Sequence, residues 1–138
     1  MPWDASPNAG FSTATPWLPL NDDWLARNVA ALRADPKSIL YLYRRLIALR
    51  RSQPALVSGA YVPAACRGEV LGYWRVCETQ TLGILLNFCD AEQPVSLPRR
   101  GRVLISTYLD RDDDVSGPLT LRPHEGVLFE QEAGAPAG

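Results

Sequence analysis

The segment VLGYWRVCETQTLGILLNF, residues 70–88, contains two apolar runs, VLGYWRV at 70–76 and LGILLNF at 82–88. Each run has the length of a β-strand and is rich in branched or aromatic residues. The connection CETQT is too short for a crossover helix, so the two strands must pair antiparallel. This hairpin predicts an antiparallel β architecture around it.

Short alternating or apolar runs also occur on both sides of the hairpin. Turn-forming stretches rich in Gly, Asp and Arg separate them. Strands are predicted at 59–62, 70–76, 82–88, 94–97, 103–109, 118–121 and 126–130. Six or seven strands at near-regular spacing predict an antiparallel sheet or sandwich over residues 57–131, and residues 133–138 are expected to form a flexible tail.

The strongest helix signal lies at residues 35–52. Asp35 is a favourable N-cap, and Pro36 suits the first helical position, where a missing N–H costs nothing. Apolar residues recur every three or four positions, at Ile39, Leu42, Tyr43, Leu46 and Leu49. This spacing predicts one apolar face, and Pro54 ends the helix.

Residues 1–34 are predicted to be mostly loop because four prolines interrupt them. A short helix to about Leu32 is predicted, with Asn21 or Asp22 as its cap. Four large aromatic residues are too many for a free tail and predict a loop held by burial: Trp3, Phe11, Trp17 and Trp24.

The composition is that of an ordinary globular protein of 138 residues, with 46% hydrophobic and 21% charged residues. A net charge of −1 gives no electrostatic basis for binding nucleic acid or an anionic membrane. The cysteines Cys66, Cys77 and Cys89 match no metal motif and are expected to be reduced, as in the cytoplasm. The single His124 leaves little room for His-based catalysis.

Two polar features invite functional readings. The cluster from Asp110 to Asp114 is interpreted as a solvated hairpin tip, because Arg111 and the following Val-Ser-Gly do not suit a calcium loop. Glycoside hydrolysis needs two facing carboxylates, and the sequence supplies no obvious pair. Asp4 is expected to cap a turn, and Glu125 is interpreted as a turn residue.

The candidates for a sugar-stacking surface in the strand region are Tyr61, Tyr73 and Trp74, and the last two are adjacent in the sequence. Adjacent strand residues point to opposite faces, so one of the two is expected in the core. A free-standing carbohydrate-binding or interaction module remains the alternative function.

The N-terminal loop then supplies a family resemblance. It reads Met1-Pro2-Trp3-Asp4, Asn8-Ala9-Gly10-Phe11-Ser12 and Pro16-Trp17-Leu18-Pro19. This order resembles the loop late in the catalytic domain of the alpha-glucosidase branch of the alpha-amylase superfamily. The usual opening there is Met-Gln-Trp-Asp, so Pro2 is a departure that removes a polar side chain.

The rest of the chain follows the same resemblance in order. Residues 35–50 resemble the helix that closes the family's (β/α)8 barrel, and the strands at 70–75, 85–88 and 104–108 resemble its C-terminal sandwich. The resemblance implies a mainly β chain: an antiparallel C-terminal β-sandwich at 57–132, preceded at 1–56 by a loop and one or two helices left over from the end of the barrel.

The resemblance also implies a function. The parent enzyme would be a retaining glycoside hydrolase acting on alpha-glucosidic bonds of short oligosaccharides, with an Asp nucleophile, a Glu acid/base and a second Asp. No residue of this chain corresponds to those three, so no catalytic residue, metal or cofactor is assigned. Trp3, Asp4, Phe11 and Trp17 are expected to border the sugar pocket. The expected partner is a barrel domain, in the parent enzyme or separately encoded.

Overall fold

A computed structural model describes residues 1–64, 68–97, 99–112 and 114–132. Cys66, Asp113 and the predicted tail at 133–138 lie outside the described residues. The chain divides into two compact units, which we call the N-terminal unit, Met1–Arg45, and the β-rich unit, Leu46–Gly138. The sequence-based boundary at residue 56 stays a prediction.

The N-terminal unit is mostly loop, as the prolines indicate. Helix α1, Val29–Ala34, is capped by Asn28, whose side-chain oxygen accepts the N–H of Ala31 at 2.9 Å. The prediction of a helix starting at Asn21 or Asp22 was therefore wrong. Residues 22–26 form turns instead, because Asp23 O accepts the N–H groups of Ala26 and Arg27.

Helix α2, Ile39–Ser52, belongs to both units and starts later than predicted. Asp35 does not cap it. The Asp35 carboxylate instead accepts the N–H of Lys37 at 2.8 Å in a turn that precedes the helix. Leu42 is the one buried residue of α2, whereas Ile39, Tyr43 and Leu46 of the predicted apolar face are exposed.

The β-rich unit opens with a short helix, α3, Pro54–Ser58, which packs against β2 and β3. Eight strands follow: β1 Ala60–Pro63, β2 Val70–Cys77, β3 Gln80–Asn87, β4 Gln93–Ser96, β5 Gly101–Ser106, β6 Asp114–Val115, β7 Pro118–Leu121 and β8 Gly126–Gln131. Seven match predicted strands; the two-residue β6 was not predicted.

The strands form two antiparallel sheets. One has six strands in the order β1-β2-β3-β8-β5-β6, and the other pairs β4 with β7. The mainly β antiparallel fold is thus confirmed. The core contains Val70, Leu85, Val103, Val115, Leu119, Leu121, Val127 and Phe129.

Two aromatic pairs lie on β2. Trp74 packs on the core and meets the ring of Phe129 edge-on, with centroids 5.5 Å apart. Tyr73, on the opposite face, packs on the exposed Tyr61 at 5.2 Å. The expectation that one member of the Tyr73–Trp74 pair is in the core is confirmed for Trp74.

The region around α3 is joined to the sheet by side-chain amides. Gln80 at the start of β3 donates to Gln53 and to Glu130 Oε1, the latter at 2.8 Å, and its carbonyl accepts the N–H of Ala55. Arg75 Nε donates to Ala55 O at 3.2 Å. These bonds fix the end of α2 and α3 against β2 and β3.

Candidate functional site

The residue predicted to cap a turn, Asp4, does so. Its Oδ1 accepts the backbone N–H of Ser6 at 2.9 Å and the Ser6 hydroxyl at 2.5 Å. These two hydrogen bonds, first from the hydroxyl and then from the backbone, hold the pKa of the Asp4 carboxyl below its usual value. Asp4 is therefore ionised at neutral pH and is unsuited to act as an acid.

A left-handed turn follows directly. Asn8, Ala9 and Gly10 have φ angles of 56°, 55° and 70°, and Ala9 is completely buried. The carbonyl of Ala9 accepts the N–H of Trp3 at 2.8 Å, which closes the loop between Trp3 and Ala9. A Cβ atom on Gly10 would lie 2.5 Å from Asp4 Oδ1, so the carboxylate rests directly on this glycine.

Beside this turn the N-terminal unit has a cleft of about 550 Å³. Of the four residues predicted to border a sugar pocket, Phe11 and Trp17 line this cleft, together with Pro2 and Ser12. Trp3 and Asp4 belong to the turn described above. Trp17 is 91% exposed and Trp3 is 46% exposed, so both rings are accessible in the described chain. The role of the four residues at a sugar pocket stays a prediction.

The β-rich unit contains a second cluster of polar side chains, which the sequence analysis did not predict. Glu125, interpreted as a turn residue, is completely buried. Its Oε1 accepts from Arg122 Nη2 at 2.6 Å and Ser106 Oγ at 3.1 Å, and pairs with Arg111 Nε at 3.0 Å. Its Oε2 accepts from the backbone N–H and the Nε of Arg122 at 2.9 and 3.1 Å. Arg111 and Arg122 offset the desolvation cost of burying this carboxylate, because their positive charges neutralise it.

Asp110 completes this cluster. Both of its carboxylate oxygens accept from the Arg122 guanidinium, at 2.7 and 2.8 Å, and that guanidinium lies 4.3 Å from the centre of the Tyr108 ring. The hydrogen bonds to Asp110, followed by those to Glu125, raise the pKa of Arg122. Asp110 is exposed, as the interpretation of this segment as a solvated tip expects, and its charge is paired with Arg122.

The cluster suits structure rather than catalysis. Burial raises the pKa of Glu125, but the hydrogen bonds from Arg122, the charge of Arg111 and the Ser106 hydroxyl outweigh it and leave the pKa below its usual value. A glycosidase acid needs the opposite shift. Within the described ranges, no three His, Cys, Asp or Glu side chains come together as a metal site would require.

The free energy of unfolding of the β-rich unit should therefore depend on pH through Glu125. Because the folded-state pKa is lowered, its contribution is present above the ordinary Glu value of 4.5 and is lost as the pH falls through the lowered folded-state pKa. Urea unfolding at a series of pH values measures this slope. The slope should flatten in Glu125→Gln, and an unchanged slope would contradict the assignment.

Comparison with known proteins gives these features a context. The family model for the alpha amylase catalytic domain matches residues 1–59. A probable alpha-glucosidase of Rhizobium meliloti is 36% identical over 118 residues, covering 81% of this chain and 21% of the relative. An oligo-1,6-glucosidase of Halalkalibacterium halodurans is 33% identical over 138 residues, covering 94% of this chain and 24% of the relative.

Solved structures agree with this relationship. The isomaltulose synthase of Klebsiella sp. LX3 superposes with a TM-score of 0.87 at 27% identity, over 95% of this chain and 24% of that one. The trehalulose synthase of Pseudomonas mesoacidophila MX-45 gives 0.85 at 30% identity, again over 95% and 24%. The chain thus spans about a quarter of the length of these proteins.

The mainly β fold, the N-terminal loop and these matches relate the chain to the alpha-amylase family, whose catalytic-domain model matches its first 59 residues. It matches a short part of relatives named alpha-glucosidase and oligo-1,6-glucosidase. The family resemblance drawn from the sequence is confirmed.

Proposed function

We propose that this chain is the C-terminal portion of a retaining glycoside hydrolase that acts on alpha-glucosidic bonds of short oligosaccharides. It would supply the last barrel loop, the closing helix and the sandwich domain, while the catalytic carboxylates lie in a barrel domain. The observation that carries the proposal is the match to about a quarter of several such enzymes, over nearly the whole of this chain.

The exposed apolar face of α2 supports the proposal that a barrel domain packs on this helix. Ile39, Tyr43 and Ile47 are 54%, 62% and 51% exposed, and Leu46 is 39% exposed. Burying a large apolar side chain contributes ~1.5–3 kcal/mol, so leaving several in water forgoes a substantial stabilisation. A barrel domain, in the same polypeptide or separately encoded, is the partner proposed for this face.

The environments of three carboxylates in this chain support the proposal that the chain alone is catalytically inactive. Arg122 holds Glu125 ionised, because its hydrogen bonds lower the pKa of that carboxyl, and Asp110 is paired with the same arginine. Asp4 is likewise held by Ser6. A retaining enzyme needs one protonated and one ionised carboxyl across the scissile bond. Neither of these sites offers that combination, so the purified chain should not turn over glucosides.

The loop of the N-terminal unit would lie at the active-site face of the barrel. In (β/α)8 enzymes, active sites form at the face where the strands lead into their following loops. Phe11 and Trp17, which already line a common cleft, would border the pocket for the oligosaccharide, with Trp3 and Asp4 beside them.

The free thiols of Cys77 and Cys89 support a reducing compartment, and we infer a cytoplasmic protein. Within the described ranges, no helix combines the length and the apolar character that crossing a bilayer requires.

Complementation tests this proposal. The oligo-1,6-glucosidase of Halalkalibacterium halodurans, truncated before the segment matching this chain, would be co-expressed with the chain and assayed on isomaltose and a nitrophenyl alpha-glucoside. We expect association and turnover from the pair and none from either piece. Tyr43→Glu should abolish association because it places a charge in the apolar face, whereas the control Lys37→Glu should not.

Two results would contradict the proposal. Turnover by the purified chain alone would show that it carries its own catalytic groups. A binding heat with maltooligosaccharides, together with no association with the barrel, would favour the alternative of a free-standing sugar-binding module. The exposed Tyr61 and its neighbour Tyr73 would then be the first residues to replace.

A further inference from the structure

We infer that Asp4 is a positioning residue for the proposed sugar pocket: its carboxylate fixes the left-handed turn that presents Phe11 to the cleft. This inference rests on the proposed function. It separates the four predicted border residues into two roles, with Phe11 and Trp17 in the wall and Asp4 in the turn that holds the wall in place.

The first step is the contact between Asp4 and Gly10. All three carboxylate atoms of Asp4 lie 2.5–2.8 Å from the position of a Cβ on Gly10. The carboxylate therefore occupies the space that any side chain there would need. Its Oδ1 is held in turn by both donors of Ser6. Asp4 thus reaches across the loop and packs on the turn at Gly10.

The second step is the conformation that this packing maintains. Left-handed geometry costs roughly 1–3 kcal/mol for a residue with a side chain, and here Asn8 and Ala9 both adopt it. Such a conformation persists only when the surroundings over-determine it. Here Trp3 N–H bonds to Ala9 O, and Asn8 Nδ2 donates to Ser12 O at 3.2 Å.

The third step connects the turn to the cleft. Phe11 follows Gly10 directly, and both Phe11 and Ser12 line the cleft. On the other side, the carbonyls of Pro2 and Trp3 accept the N–H groups of Val29 and Ala30 at 3.1 and 2.9 Å. The segment that carries Asp4 is therefore anchored to the start of α1, and the turn is built on that anchored segment.

Hydrogen exchange on the isolated chain tests the local part of the inference. Asp4→Ala should speed exchange of the Trp3 and Phe11 amides about tenfold, because it removes the carboxylate that packs on Gly10 and accepts both hydrogen bonds from Ser6. Asp4→Asn, which keeps an acceptor oxygen, should recover part of the protection. Asp22→Ala is the control for loss of an exposed carboxylate in the same unit. Unchanged exchange in Asp4→Ala would overturn the inference.

A double-mutant cycle adds a second local readout. Gly10→Ala introduces a Cβ that collides with the carboxylate, so it should disturb the amides of the turn less in the Asp4→Ala background than in the wild type. Strictly additive effects would mean that the two residues do not act together, and would also overturn the inference.

Kinetics of the complemented enzyme test the connection to the sugar. A positioning role predicts that Asp4→Ala raises KM for isomaltose about tenfold, while kcat changes by less than about threefold, because uniform binding is lost rather than transition-state stabilisation. Faster exchange with an unchanged KM would overturn the role at the pocket. If the truncated enzyme and the wild-type chain together show no activity, the proposed function is contradicted instead. The exchange data then still test the role of Asp4 in the turn, because they are measured on the isolated chain.

Discussion

Phe129→Ala is expected to lower the free energy of unfolding of the β-rich unit by about 3–5 kcal/mol, the range for removing a buried aromatic ring. Phe129 is completely buried in the core and meets Trp74 edge-on. Its ring lies over two glycines: a Cβ on Gly83 would come 2.3 Å from Phe129 Cζ, and a Cβ on Gly101 would come 3.0 Å from Phe129 Cδ2. Because glycine has no side chain, neither residue can fill the cavity that the Phe129→Ala substitution leaves.

Urea unfolding followed by tryptophan fluorescence measures this change. Phe88→Ala is the matched control, because Phe88 follows β3 but is 65% exposed. It should change the unfolding free energy by less than about 0.5 kcal/mol. A similar loss in both variants would contradict the assignment of Phe129 to the centre of the core.

Glu125→Gln is expected to cost about 3 kcal/mol, since it leaves Arg111 and Arg122 without their buried counter-charge. The substitution keeps the size of the side chain, so a cavity contributes little. Arg122 retains Asp110, which keeps the loss from being larger. Arg111 also retains its hydrogen bond to Thr120 O at 2.9 Å.

Glu92→Gln, which removes an exposed carboxylate, is the control for this change. Thermal and urea unfolding should agree on the loss at pH 7. At a pH below the lowered folded-state pKa of Glu125, wild type and Glu125→Gln should converge, because the wild-type carboxyl is then protonated as well. An equal difference at both pH values would show that the cost comes from packing and not from charge.

The sequence predicted the strands well for a physical reason. Strands with one buried face alternate in hydrophobicity, and short connections leave only antiparallel pairing. Seven strands were located within a few residues. The two-residue β6 has no alternation to detect, and its pairing of Val115 with Gly101 depends on the fold around it.

The helices show where local signals compete. Asp35 and Asn28 are both good capping residues, and the sequence alone does not rank them. In the structure Asn28 caps α1, while Asp35 closes a turn before α2. The periodicity of α2 gave its apolar face correctly, but not how much of that face is covered within this chain.

The two candidate sites also contain both local contacts, which the sequence predicts, and contacts that depend on the fold, which it does not. The turn that Asp4 caps, by accepting the backbone N–H of Ser6, is local and was predicted. The left-handed geometry at Ala9 was not, because nothing about alanine favours a positive φ. The Glu125 cluster depends on topology, since Ser106, Asp110 and Arg122 meet only after β5, β7 and β8 have assembled.

The place of β8 in the sheet bears on how this unit is made in the cell. The ribosome produces β8, Gly126–Gln131, after every other strand that the structure describes, yet β8 lies between β3 and β5. Until it emerges, β3 and β5 have no common neighbour, and Phe129 is absent from the core. The nascent chain therefore has unpaired edges on β3 and β5 and an incomplete core until β8 has been synthesised. Exposed apolar surface and unpaired strand edges of this kind make a partly folded chain prone to aggregation.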